Sequence, residues 1–182
     1  MTHYSAQAES LARHLAIAPF GEALAAAGAV LLDDEDVAAI LDQAARFAAS
    51  ALDGLGDVLD ADGARLADGR VRTGARHQAA WQAFCEAGWL TLALPEPHGQ
   101  HLPLPVVVAC EELFNRASAA FYMLPTSTRC GAELLLECAP EAVAAQWVPR
   151  LAAGEWTATI CISEPDAGSD VGRIRTRAVQ HE

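Results

Sequence analysis

Between Val37 and Leu52 apolar side chains return every three or four residues, at Val37, Ile40, Leu41, Ala44, Phe47, Ala48, Ala51 and Leu52, which predicts a helix with one buried stripe. The acids Asp33 to Asp36 stand at its start, where carboxylates cap free amides and meet the positive end of the helix dipole. Gly54 and Gly56 are expected to stop it. The stretch up to Leu32 is Ala-rich, weakly patterned and interrupted by Pro19 and Gly21, so it predicts a loose extension ending in a helix from about Glu22. From Asp57 to Gly74 repeated Asp and Gly with little apolar material predict loop and turn. The acids there lack the ligand spacing of a calcium loop.

Thr73 can cap the next helix, whose apolar positions Ala80, Trp81, Phe84 and Cys85 share a face before Gly88 ends it. A short run, Trp89 to Leu94, leads into a Pro- and Gly-rich connection from Pro95 to Pro103. His98 and His101 fall in that loop with no further ligand nearby in sequence, so they read as surface histidines. Helices are expected over Val106 to Asn115, from a Ser118 cap through Phe121 and Tyr122, over Gly131 to Cys138, and from Pro140 to about Leu151. After Gly154 the period changes to two, with Ala158, Ile160 and Ile162 facing one way and Thr157, Thr159, Cys161 and Ser163 the other. The expected fold is mostly α, a helical bundle followed by the first strand of a β domain.

Composition narrows the partners. The 182 residues are 52% hydrophobic and 20% charged, enough to bury a core. Their 24 acidic and 12 basic side chains leave a net charge of −12, and every basic residue is Arg, so nucleic acid is not an expected partner. The longest apolar run, Ala23 to Leu32, is too short to span a membrane, and the first residues lack the pattern of a signal peptide. Five cysteines, with no Cys-x-x-Cys pair, predict reduced, mostly buried thiols and a cytoplasmic location.

The chemistry-bearing stretch is Ser163-Glu164-Pro165-Asp166-Ala167-Gly168-Ser169-Asp170. Pro165 ends a ladder, Gly168 lets backbone approach a ligand, and Ser163 and Ser169 offer hydroxyl donors beside freed amides. Such a loop can cradle a phosphate or a polar ring edge, and it can equally be only a turn. Its spacing fits neither nucleotide-binding glycine motif.

Gly154-Glu155-Trp156-Thr157, then Ile160 to Gly172, then Arg175-Thr176-Arg177-Ala178 resemble the flavin-binding signature of the acyl-CoA dehydrogenases. The helix end Pro149-Arg150-Leu151-Ala152 followed by Gly154-Glu155 is similar to that family too. Phe84 to Leu94, the Pro95 to Gln100 segment and the extra N-terminal residues look like its branch with an N-terminal extension, which includes long-chain and methylthiopropanoyl-CoA dehydrogenases. The resemblance implies an N-terminal extension over residues 1–32, a helical domain over 33–156 and the start of the middle β domain over 157–182. It implies an FAD-dependent oxidoreductase that desaturates an acyl-CoA between its α and β carbons and hands electrons to an electron-transferring flavoprotein, as a homo-oligomer. Carried over residue by residue, Ile160, Ile162 and Ser163 lie beside the flavin, with the Ser163 hydroxyl where the family often has Thr. Gly168 and Ser169 approach the cofactor pyrophosphate, and Ser169 also meets the substrate's pantetheine arm. Phe121 and Tyr122 fall near the acyl tunnel, although aromatics at helical spacing are more often core. The family's base is a Glu of a later helical domain, and Glu164 does not match it, so no catalytic residue is expected among these residues. The chain alone is expected to be inactive and to bind FAD weakly or not at all. The alternative is a non-catalytic helical interaction or acyl-binding module derived from the family.

Overall fold

The computed structural model describes residues 3–17 and 32–179. Helix α1 spans His3–Ile17 and α2 spans Asp34–Phe47, continued by one wide π turn over Ala48–Leu52. The expected cap is present, with Asp33 accepting from the Asp36 amide at 2.8 Å. Gly54 then takes a left-handed conformation, φ +69°, and the chain turns into α3, Leu55–Asp62. Strands β1, Arg65–Ala67, and β2, Arg70–Arg72, pair antiparallel, followed by α4, Ala75–Glu86. Helix α5 runs over Leu104–Cys138 and α6 over Glu141–Ala152.

Several expectations need correction. The N-terminal stretch opens with the fifteen-residue α1 rather than a loose extension, because Tyr4 and Ala8 are buried against α2 and Tyr4 donates to Asp53 at 2.8 Å. The helix expected from Glu22 lies outside the described residues. Asp57 to Gly74 is not loop: it holds most of α3 and a hairpin whose Asp68-Gly69 turn has positive φ at both positions. Gly74, not Thr73, is the N-cap of α4, and the Thr73 hydroxyl instead meets His77 Nδ1 at 3.0 Å.

The three helices expected between Val106 and Cys138 form one continuous run, α5, but Ser118 breaks it with φ −161° and ψ 92°. The Ser118 hydroxyl accepts from the Phe121 amide at 3.3 Å and so caps the second arm, as its sequence position suggests. The break is sharp. In a straight helix Glu111 and Arg129 would stand about 27 Å apart along the axis, yet their side chains pair at 3.0 Å. The two arms of α5 therefore fold back on each other.

Most of the buried side chains gather in one core among α1, α2, α3, α4, the first arm of α5 and the start of its second arm, where Leu41, Leu52, Phe84, Leu113, Phe114 and Phe121 are fully enclosed. Phe84 sits edge-on to Phe114 at 5.3 Å and to Phe121 at 5.6 Å, the arrangement that aromatic quadrupoles favour. A smaller core of Leu94, Ala132, Val148 and Leu151 joins α6 to the second arm of α5. The strand expected over Thr157 to Ser163 forms no ladder among the described residues, because no neighbouring strand lies beside it. It is an extended stretch leaving the bundle.

Candidate functional site

The extended stretch is fixed at its root by contacts that depend on small side chains. Gly154 ends α6 with φ +71°, and its carbonyl accepts from the Trp81 indole at 3.0 Å, tying the stretch to α4. A Cβ at Gly154 would lie 2.3 Å from Cys85 Sγ, so only glycine fits both the conformation and the space. Two residues on, Trp156 packs edge-on to Trp147 at 4.9 Å beneath the Arg150 guanidinium, 4.6 Å above its ring. Ala158 donates its amide to the buried Thr128 hydroxyl at 3.4 Å, and Thr128 donates in turn to the Leu124 carbonyl at 2.9 Å. At Gly131 a Cβ would come within 2.5 Å of the Ala158 methyl, which shows how closely α5 approaches.

Beyond Ala158 the chain faces solvent. Ile160 and Ile162 are 56% and 48% exposed, and Ser163, Gly168 and Ser169 are exposed as well. The structure thus places all five sequence-predicted residues on one short segment, but it does not enclose them. The loop after Ser163 is nevertheless ordered by its own hydrogen bonds. Glu164 and Ala167 exchange backbone bonds at 2.8 and 3.1 Å, and Ala167 is buried. The Glu164 carboxylate accepts from the Arg175 amide at 2.9 Å, the Thr176 amide at 2.8 Å and the Thr176 hydroxyl. Bonding from the Thr176 hydroxyl, and then from the two amides, holds the Glu164 carboxyl below the usual glutamate range. Asp166 and Arg175 add an exposed ion pair at 3.6 Å. The loop between Pro165 and Ile174 is closed into a ring. On its rim, Gly168 has open space where a Cβ would stand, with no atom within 4 Å. Two hydroxyls, two isoleucines and a bare glycine backbone can receive a flat ring with a phosphate tail, since hydroxyls and amides suit the polar edge and the isoleucines the ring face.

Phe121 and Tyr122 are core. Both are buried among Phe84, Phe114 and His77 rather than around an open tunnel. The sequence gives no warning of a half-buried network around Arg129, which bonds Glu133 at 2.6 Å and Glu111 at 3.0 Å. Burial opposes the guanidinium charge, yet the two carboxylates outweigh it and the Arg129 pKa is raised. Burial first, and then Glu111, push the Tyr122 phenol up. The i, i+4 spacing of Arg129 and Glu133 is a readable signal, whereas Glu111 meets Arg129 only because α5 reverses at Ser118. Of the five thiols, all free, Cys110 is buried and Cys85 and Cys130 are partly so, while Cys138 and Cys161 are exposed, which corrects the expectation of burial for those two. Burial lifts the Cys85 thiol to about 11 and the Cys110 thiol to about 12, so neither is a ready nucleophile at neutral pH.

Known proteins place this arrangement. Residues 34–155 match the family model described as "Acyl-CoA dehydrogenase, N-terminal domain". The chain is 34% identical over 170 residues to the 3-methylmercaptopropionyl-CoA dehydrogenase of Ruegeria pomeroyi, covering 93% of this chain and 29% of that protein. It is 35% identical over 150 residues to the (2S)-methylsuccinyl-CoA dehydrogenase of Cereibacter sphaeroides, covering 75% of this chain and 27% of the relative. Human very long-chain specific acyl-CoA dehydrogenase matches at 29% over 109 residues, 56% of this chain and 16% of that protein. The chain spans less than a third of the length of these curated relatives. With α2 to α6 inside the matched residues and the extended stretch directly after them, the chain belongs to the acyl-CoA dehydrogenase family and carries its N-terminal part.

Proposed function

We propose that this chain forms the N-terminal part of an FAD-dependent acyl-CoA dehydrogenase, with residues 1–32 as an extension, 33–156 as the helical domain and 157–182 as the start of the β domain. In it the segment from Ile160 to Ser169 forms one wall of the flavin site. The observation that carries this reading is the ring-shaped loop with Gly168 bare on its rim, set directly after the bundle on an exposed, partly apolar stretch. The donor set fits the cofactor: Ser163 would bond the polar ring edge, Ile160 and Ile162 would cover ring surface, and Gly168 and Ser169 would approach the pyrophosphate. Ser169 would also meet the pantetheine arm of the acyl-CoA substrate. When bound, the flavin supplies a hydride acceptor for the β carbon of the thioester.

What the chain's own residues contribute is binding and orientation. Of the loop's carboxylates, Glu164 accepts three hydrogen bonds and is acidified, so it is a poor base for an α proton, and Asp166 is paired with Arg175. On this reading the isolated chain is inactive with any acyl-CoA and binds FAD weakly or not at all, because its contacts come from one extended stretch and one loop. In the complete enzyme, acting in the cytoplasm as a homo-oligomer, electrons would pass to an electron-transferring flavoprotein. No described helix is long and apolar enough to cross a membrane.

Gly168→Val tests the wall directly. A Cβ there meets nothing in the chain, so the fold should keep its stability within about 0.5 kcal/mol, while FAD affinity, read by quenching of flavin fluorescence, should fall severalfold. Unchanged affinity would remove Gly168 from the site. Turnover of an acyl-CoA by the purified chain with a dye acceptor would refute the inactivity.

A further inference from the structure

We infer that Glu164 is a positioning residue for the flavin wall, acting through the loop it closes; this rests on the reading of Gly168 and Ser169 as cofactor contacts. Its carboxylate gathers three donors from the far end of the loop, the Arg175 amide, the Thr176 amide and the Thr176 hydroxyl. Its backbone simultaneously pairs with Ala167 in both directions, at 2.8 and 3.1 Å. One residue thus fixes the start of the loop to its middle through main chain and to its end through side chain. Between those two ties hang Gly168 and Ser169.

The clasp matters because the loop's other ties are few: an exposed Asp166–Arg175 ion pair, the buried Ala167 and one short turn over Val171–Arg173. Every residue from Gly168 to Val179 is exposed, and the extended stretch before it makes no ladder among the described residues. The last anchor to the bundle is the Ala158 amide on Thr128, six residues before Glu164. An unclasped loop of this composition, with Gly168, Gly172, Asp166, Asp170 and Ser169, would lose conformational freedom only on meeting its ligand, and binding would be weakened by that ordering. A carboxylate suits the task better than a neutral side chain, since bonds from amides to an ionised acceptor are shorter and stronger. Arg175 joins both ties: its amide bonds Glu164 and its guanidinium reaches Asp166 at 3.6 Å. The acid at position 164 therefore serves shape, which explains an ionised side chain beside a site whose chemistry does not use it.

The test compares the wild-type sequence with Glu164→Gln, Glu164→Asp and Thr176→Val by two readouts: amide hydrogen exchange at Arg175 and Thr176, and FAD affinity of the complete enzyme by fluorescence quenching. Glu164→Gln is expected to lose protection at both amides, and its FAD dissociation constant to rise about tenfold, the range set by losing charge-assisted hydrogen bonds. Thr176→Val, which removes one of the three donors, should shift both readouts less, and Glu164→Asp should recover part of each. Exchange in the helical body reports whether a variant still folds, and it should be unchanged. Lost protection with unchanged FAD affinity overturns the positioning role while leaving the flavin wall standing. Retained protection in Glu164→Gln overturns the clasp. Absence of saturable quenching by the complete wild-type enzyme overturns the flavin wall and the positioning role with it.

Discussion

Gly154→Ala probes how the extended stretch is rooted in the bundle. Two costs are separable. At φ +71° an L residue is disfavoured by about 1–2 kcal/mol through its own backbone. The added methyl also meets Cys85 Sγ at 2.3 Å, Cys85 Cβ at 3.2 Å and the Trp81 ring at 3.3 Å, and such overpacking costs about 1–3 kcal/mol. The variant should lose about 2–5 kcal/mol in all. Cys85→Ala removes the closest of these atoms, so Gly154→Ala with Cys85→Ala should be less destabilised than the sum of the single changes by about 1–3 kcal/mol. Urea unfolding followed by far-UV circular dichroism measures all four corners of the cycle. Additivity within about 0.5 kcal/mol, or a single Gly154→Ala variant as stable as the parent, would refute the claim that Cys85 and the left-handed backbone together demand glycine.

Phe84→Ala removes a fully buried ring with four edge-on aromatic neighbours and should cost about 3–5 kcal/mol in the same assay; a loss under 1 kcal/mol would deny that this cluster is the centre of the main core. Ser118→Ala deletes the cap at the reversal of α5 and should cost about 1 kcal/mol, with parental stability speaking against a capping role. Because the Glu164 pKa is depressed in the folded chain, the clasp is present above the unfolded-state value and is lost as pH falls through the folded-state one. Protection factors at Arg175 and Thr176 should therefore drop on acidification and stay low and flat in Glu164→Gln; a rise in protection at low pH would contradict the sign.

The clearest elements in the sequence were those whose stabilising contacts are local. The α2 stripe with its Asp33 cap, the Gly88 and Gly154 stops and the Ser118 cap are each announced by residues within a turn or two of one another, and each is found in place. Asp68-Gly69 was legible as a turn but not as a hairpin, since the strands beside it have only three residues each and no alternating apolar face to draw attention. Helix α1 turns Tyr4, Ala8, Leu11, Ala12 and Leu15 to the core at helical spacing, but two of the five are alanines in an Ala-rich stretch, which blurs the contrast between its two faces. The pattern of Thr157 to Ser163 is that of a strand, and pattern cannot supply the neighbour a ladder requires. In the site, the order Ser163, Gly168, Ser169 could be read directly, whereas the Glu164 clasp could not: its donors stand eleven and twelve residues away, and two of them are backbone amides that every sequence contains.

The small core of Leu94, Ala132, Val148 and Leu151 gives the molecule unequal thermodynamic depth. Four buried residues make a shallow cooperative unit beside the aromatic core, and units of that kind open at free energies well below global unfolding. The segment from Trp156 onward hangs from this unit, since Trp156 and Ala158 pack on it. Release of α6 from the second arm of α5 would set the proposed flavin wall free while Phe84, Phe114 and Phe121 stayed packed. Whatever covers the wall, cofactor or neighbouring polypeptide, would then act as the missing half of that unit's stability, coupling assembly of the site to the local folding of α6.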